Sequence, residues 1–377
     1  MPAKTSPDRA LERVTGREIT RNKVITLEKS YPKQLTLWQT YLPGDEDADD
    51  YSNTVELYDA VPKYFSSKQR MAELRKDGQF LTSLKRSFKH KGILYHVTIK
   101  PARIEEKDGT EREYYPSWRE ELIEEALKKL ACDSLNGVYL NNAAGVQFSL
   151  YELRKELKHR GHEIHFDDLL KSLRICREAS IVLSSEQDDF ELSSPIFPLL
   201  IIRNRREWER NPRHTRCYVQ FNPLITHSIN KMAYRQFDYV TFMAFKRQLA
   251  RWFHKRLSHN YVQASLIGTP YGIKMSTVIR DSAMVNATRL RDKMRYIDES
   301  LDELVEKGIL HKYEKEVTDG ARSKIEDALY TLHPCIDFIQ QVKKANKRKS
   351  HLVDTGQRTG FLSEEAALAA LYEQPAG

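Results

Sequence analysis

The chain has 377 residues, with 61 lysines and arginines against 53 aspartates and glutamates, for a formal net charge of +8. Hydrophobic residues make up 40%, enough for real cores, yet no apolar run approaches the ~18 residues a membrane span needs. Met1 to Lys23 carries no apolar h-region, and Cys132, Cys176, Cys217 and Cys335 show no CxxC or CxxH spacing, which predicts a cytoplasmic protein with reduced thiols.

Charge and turn chemistry divide the chain. Residues 1–50 read as a flexible basic arm that ends in Lys33-Gln34-Leu35-Thr36-Leu37-Trp38 and then an acidic linker of Asp45, Glu46, Asp47, Asp49 and Asp50. Two foldable units follow, 51–210 and 211–344. Lys343, Lys344, Lys347, Arg348 and Lys349 lead into a polar basic tail, 345–377.

In the first unit, Ile93, Tyr95, Val97 and Ile99 alternate with other residues and predict a strand, preceded by the basic cluster Lys85, Arg86, Lys89, His90 and Lys91. Ser117 opens a helix to about Leu135, with Glu120 and Glu121 where the macrodipole favours acids. Gly145 is expected to break the chain before Ser149-Leu150-Tyr151-Glu152, whose S-x-x-E spacing is a capping box. That helix stops at Gly161, and a third runs from Phe166 to Glu178. Ser180 to Leu183 and Phe197 to Ile202 then read as a two-stranded ribbon. Three helices and a ribbon are the order of a winged helix.

The second unit repeats that order. Asn222-Pro223 starts a short helix, and a long one is expected from Tyr239 to His259. A turn cluster at 268–272 precedes a short helix, Thr277 to Asp281, capped by Ser276. A helix over 287–307 ends at the C′ residue Gly308, with wing strands at Ile309 to Tyr313 and Leu329 to Leu332. The expected fold class is therefore α+β, mainly helical, with two tandem winged-helix domains.

The 287–307 segment is the candidate recognition helix. Leu290, Met294, Ile297, Leu301 and Leu304 share one face, while Thr288, Arg291 and Arg295 project on the far side and Arg289 lies on the other flank. Arg289, Arg291, Lys293 and Arg295 fill its first half, and Asp298, Glu299, Asp302, Glu303 and Glu306 its second. A recognition helix inserts its N-terminal part into the major groove, which this polarity suits. The competing reading is a solvated face with ion pairs at helical spacing. In the first unit, Lys171 and Arg174 are the outward candidates for base or phosphate contact. Arg203 to Arg216, and Lys246, Arg247, Arg251, Lys255 and Arg256, are candidates for sequence-independent affinity or for plain solvated surface.

Taken together, two winged helices behind an arm bearing Gln34-Leu35-Thr36-Leu37-Trp38 resemble the plasmid replication initiators of the TrfA/RepA type. The resemblance covers roughly Lys33 to Lys344, through element order and scattered local similarity. It implies binding of repeated double-stranded origin DNA (iterons), opening of the adjacent duplex, and the host initiator and replicative helicase as partners. The arm motif is similar to the Q-L-x-L-F peptide that docks on the β sliding clamp, with Gln34, Leu35, Leu37 and Trp38 at its key positions and Trp38 in place of the usual Phe. A monomer–dimer equilibrium is compatible with the sequence.

Motifs for chemistry are missing. No G-x-x-x-x-G-K-[ST] cradle occurs, nor a G-x-S-x-G elbow. His162-Glu163-Ile164-His165 fits no metal spacing and reads better as a turn, with His165 or Asp167 capping the next helix. The expectation is a non-enzymatic protein without cofactor or metal. The alternative is a winged-helix repressor or autoregulator that does not melt DNA.

Overall fold

The computed structural model describes residues 29–30, 33–39, 50–64, 71, 73, 82–133, 136–187, 189–202, 216–261, 269–319 and 325–363. The described elements begin with β1 (Lys29–Ser30), α1 (Lys33–Gln39), β2 (Tyr51–Thr54) and α2 (Glu56–Ala60). Four strands follow, β3 (Leu84–His90), β4 (Ile93–Lys100), β5 (Ala102–Glu105) and β6 (Glu111–Tyr114). The first winged helix comprises α3 (Trp118–Asp133), β7 (Gly137–Leu140), β8 (Ala143–Ser149), α4 (Leu150–His159), α5 (Phe166–Glu178), β9 (Ser180–Ser185) and β10 (Phe190–Pro195). Its ribbon β9–β10 continues through β4 and β3 as a four-stranded antiparallel sheet.

The connection to the second unit runs through β11 (Leu200–Ile201), β12 (Arg216–Gln220), α6 (Pro223–Asn230), β13 (Arg235–Asp238) and α7 (Tyr239–Ala244). The second winged helix is α8 (Gln248–Asn260), β14 (Tyr271–Lys274), α9 (Met275–Ser282), α10 (Leu290–Glu306), β15 (Leu310–Asp319) and β16 (Ile325–Pro334). Its sheet has the order β14-β16-β15, so the strand between the first two helices pairs with the return strand of the wing. The last described helix is α11 (Ile336–Arg358). The tandem winged-helix α+β fold is therefore present.

Several local rules hold as expected. Ser149 and Glu152 close the capping box in both directions, which starts α4. Gly308, at φ 73°, donates to the Val305 carbonyl while Ile309 donates back to Leu304, and this left-handed cap ends α10.

Other expectations are corrected by packing. The return strand of the first ribbon is Phe190–Pro195, not Phe197–Ile202. Gly145 does not break the chain: it sits inside β8, where an added Cβ would meet the Val219 carbonyl at 2.3 Å across the β8–β12 pair. The helix expected over Tyr239–His259 is two helices, because Phe245 and Arg247 are extended. Ser276 lies inside α9 rather than capping it, and its hydroxyl donates to Asp327 of β16 at 2.6 Å.

Among the described residues, the two largest hydrophobic clusters organise the chain. One runs from Leu35 through Met243 and takes in Leu352, Val353 and Leu362; the other runs from Phe245 to Val342. They divide at Phe245 rather than at residue 211, since β12 joins the sheet of β7 and β8. The stretch expected as a basic tail is largely α11, a helix of 23 residues. Phe338, Ile339 and Val342 enter the second cluster, while Leu352 and Val353 enter the first.

The two units meet through buried charge. Arg251 on α8 pairs with Glu121 on α3 at 2.9 Å, and Lys255 reaches Asp59 at 2.9 Å and Glu125 at 2.5 Å. Lys128 also pairs with Asp59, at 3.2 Å. Burial alone would raise the Asp59 carboxyl, but Lys128 and Lys255 hold it well below its ordinary value. These cations are thus fastened inside the protein, not spread on its surface.

Candidate nucleic-acid interface

The apolar ridge of α10, with Met294, Ile297, Leu301 and Leu304 buried, fixes which way the helix faces. Arg291 and Arg295 are exposed and Lys293 is half-buried. Thr288 and Arg289 are exposed just ahead of the helix, with Arg289 at the N-cap position, so the helix starts three residues later than expected. Among the described residues, no carboxylate lies within 4 Å of Arg289, Arg291 or Lys293. Arg295 has Asp292 at 3.3 Å and Glu299 at 4.0 Å, but it is 71% exposed. Pairs of that kind contribute about 0–1 kcal/mol and leave the guanidinium available.

The acids in the second half of α10 have internal partners. Asp298 accepts from Lys315 of β15 at 2.6 Å and from the Tyr330 hydroxyl of β16 at 3.1 Å. Asp302 accepts from the Tyr313 hydroxyl at 2.9 Å. Glu299 pairs with Arg247 at 2.8 Å, and Glu303 accepts the backbone N–H groups of Lys246 and Arg247. Burial and the neighbouring Asp298 push the Tyr330 phenol up, which keeps it a neutral donor. The reversed charge order of α10 therefore has a structural cause: its acids anchor the wing and the start of α8. In the first half of the helix the exposed charges are the basic Arg291 and Arg295, while Glu306 at its far end is exposed as well.

The first unit is built differently. Its third helix, α5, is overlain by the β5–β6 hairpin. Lys171 is tied to Glu106 of that hairpin and to the Tyr114 hydroxyl at 2.9 Å, and Lys107 pairs with Asp167 at 2.6 Å. Partial burial works against the Lys171 charge, but its bonds to Glu106 and Tyr114 raise the ammonium above its ordinary pKa. Lys171 is thus corrected from an outward base contact to an anchor for the hairpin. Arg174 remains exposed and borders a cleft of about 620 Å³ between the hairpin and α5. Nothing in the alternation of 102–114 tells a free hairpin from one laid over a helix.

The arm motif is also corrected. It forms α1, and Leu35 and Trp38 are buried in the first core, with Trp38 edge-on to Tyr234 at 4.8 Å between ring centroids. Leu37 is half-buried, and the Gln34 side chain lies outside the described set. The i, i+3 spacing of Leu35 and Trp38 puts them on one helix face, whereas Leu35 and Leu37 would share a strand face, and the helix buries the large indole. Arg203 to Arg213 and Asp45 to Asp49 lie outside the described residues; Arg216 pairs with Glu152 at 2.7 Å.

His162 bonds the Met243 carbonyl at 2.7 Å, and His165 stands at the N-cap of α5 without a side-chain cap bond. Among the described residues, no group of three or more His, Cys, Asp or Glu is placed to hold a metal, and no helix is long and apolar enough to cross a membrane.

No protein-family model matches the chain, and no curated protein does. Among solved structures it is similar to domains 2–3 of RctB, at 9% identity and a TM-score of 0.42, covering 75% of this chain and 99% of that one. A second structure of RctB domains 2 and 3 matches at 12% identity and a TM-score of 0.40, covering 69% and 93%. The Pi initiator protein in complex with iteron DNA matches at 10% identity and a TM-score of 0.38, covering 77% of this chain and all of that one. The tandem winged-helix assignment itself stands on the element order and strand pairing of this chain.

Proposed function

We propose that the protein binds duplex DNA sequence-specifically through α10 and its wing, and that it acts as a plasmid replication initiator on repeated origin sequence. The observation that carries this reading is the basic group at the start of α10, where Arg289, Arg291 and Lys293 have no carboxylate within 4 Å among the described residues, while Asp298 and Asp302 further along the helix are bound to the wing. Arg291 and Arg295 supply groove contacts, while Arg289, Lys293 and the wing grip phosphates. Iterons, the DNA named with the Pi initiator, are the DNA class that the TrfA/RepA-type resemblance of the sequence implies. Cooperative filling of several repeats supplies the free energy to strain adjacent A·T-rich duplex without hydrolysis, and the opened strand is where the host initiator and helicase join. We assign the protein no catalytic step, cofactor or metal. Docking of the β clamp on Leu35, Leu37 and Trp38 would require α1 to leave the core, so the reading does not rest on it.

Footprinting on the DNA flanking its gene, with random competitor and a permanganate probe, tests the proposal. Several equally spaced protected repeats with reactive thymines beside them are expected. A single protected palindrome over a promoter, without melting, replaces initiator with repressor.

A further inference from the structure

Helix α11 carries a second basic surface that the reading above does not use. Ala345, Arg348, Leu352 and Val353 are buried on one side of it. Lys343, Lys344 and Lys347 are exposed. At ~100° per residue Lys343 and Lys347 fall on the side opposite the buried set, with Lys344 on the flank next to Arg348. Among the described residues no carboxylate lies within 4 Å of any of the three. This sets them apart from Lys128, Arg251 and Lys255, which the fold consumes in pairs. The helix is anchored in both cores, so its lysines stand on a rigid support.

We infer that Lys343, Lys344 and Lys347 form a sequence-independent contact for the phosphate backbone of duplex DNA, separate from the groove contact of α10. The argument is charge complementarity. Lys343 to Lys347 spans about 6 Å of helix rise, while one DNA strand presents a charge every ~3.4 Å of its axis. Three ammonium groups therefore face two or three phosphates. Lysine suits the task, since it meets a phosphate as a point charge and reads no base edge. The inference rests on the DNA-binding reading and extends the contacted duplex beyond the segment read by α10.

The test is a salt titration of binding by full-length wild type and the K343Q/K344Q/K347Q variant, on the footprinted repeat and on random duplex. Circular dichroism confirms that the variant is folded, as expected for solvent-facing positions. Each lost phosphate contact lowers the log–log salt slope by about 0.9, so a fall of up to about 2.7 is expected, equal on both DNAs, with the specificity ratio unchanged. An unchanged slope in a variant that still binds DNA overturns the inference alone. A changed specificity ratio also overturns it, because the lysines would then be reading bases. Wild type that binds no duplex overturns the proposed function and this contact together. Wild type held by anionic vesicles and not by duplex does the same, and makes the stripe a membrane contact.

Discussion

Lys315 on the wing and Asp298 on α10 are joined by a 2.6 Å ion pair, and the buried Tyr330 hydroxyl donates to the same carboxylate. The wing and the helix are therefore tied into one unit. Asp298→Ala removes the acceptor from both donors and strands a phenol in the core. It is expected to cost about 1–3 kcal/mol of stability, read as a lower urea midpoint, with Asp298→Asn losing less. Equal stability of wild type and Asp298→Ala would show that the wing is held by its apolar contacts alone.

Among the described residues, Arg291 has no ion-pair or hydrogen-bond partner. Arg291→Ala should leave the urea midpoint in place while lowering affinity for the specific repeat by about 1–3 kcal/mol and relaxing its sequence preference. Competition binding against random duplex checks this. Loss of the same size on both DNAs would move Arg291 from the groove to the backbone.

Lys171 and Arg174 should part company. Arg174→Gln, at an exposed guanidinium, weakens DNA binding if the first unit touches the duplex. Lys171→Gln acts mainly by loosening the β5–β6 hairpin, and is expected to raise proteolysis within 102–114 with little change in affinity. The reverse pattern would mean that the hairpin lifts off when DNA binds.

Trp38 is predicted to be structural. Trp38→Ala leaves a cavity in the first core and should cost about 3–5 kcal/mol, measured by denaturant unfolding. A residue waiting on a mobile arm for a partner's pocket would cost nothing when truncated.

Two buried histidines set a pH dependence. Burial depresses His254 and His259 to about 4, and His259 lies 3.0 Å from the Thr54 hydroxyl across the boundary between the units. Their unfolded value is near 6.5, so between about 6.5 and 4 the unfolded state binds more protons. Their stabilisation is complete above that window and is lost as pH falls through it, by at most about 1.4 kcal/mol per unit for each histidine. Glu125, whose carboxyl burial raises, works in the opposite sense. The urea midpoint should fall from pH 7 to pH 4.5, and a flat profile would place the histidines in water.

What the sequence reveals well is local. The capping box at Ser149, the cap at Gly308 and the apolar ridge of α10 follow from spacing within one or two turns, and each stands where expected. What it hides is tertiary. Glu121, Glu124, Glu125, Lys128 and Lys129 make α3 look like a surface helix, yet all five are buried because their partners arrive from α2, from Lys63 and Tyr64 just after it, from α8 and from the helix itself. The same arrivals turned Arg251 and Lys255 from candidate phosphate contacts into interface ion pairs. For the candidate site, the exposure of Arg289, Arg291 and Arg295 follows from the helical spacing, because among the described residues no tertiary partner reassigns their charges. The placement of Lys171 was not legible, because the hairpin that claims it lies more than fifty residues upstream.

Buried Arg348 donates to the Trp38 carbonyl, 310 positions away, and to the Asn53 side chain, 295 positions away. Helix α11 thereby makes the end of the chain a structural part of its beginning. On the ribosome, the Trp38 carbonyl and the first core must wait for Arg348, Leu352 and Val353 to emerge. A stop codon at residue 345, harmless to a protein with a dispensable tail, would deprive the N-terminal half of its last wall and hand an open apolar face to chaperones and proteases.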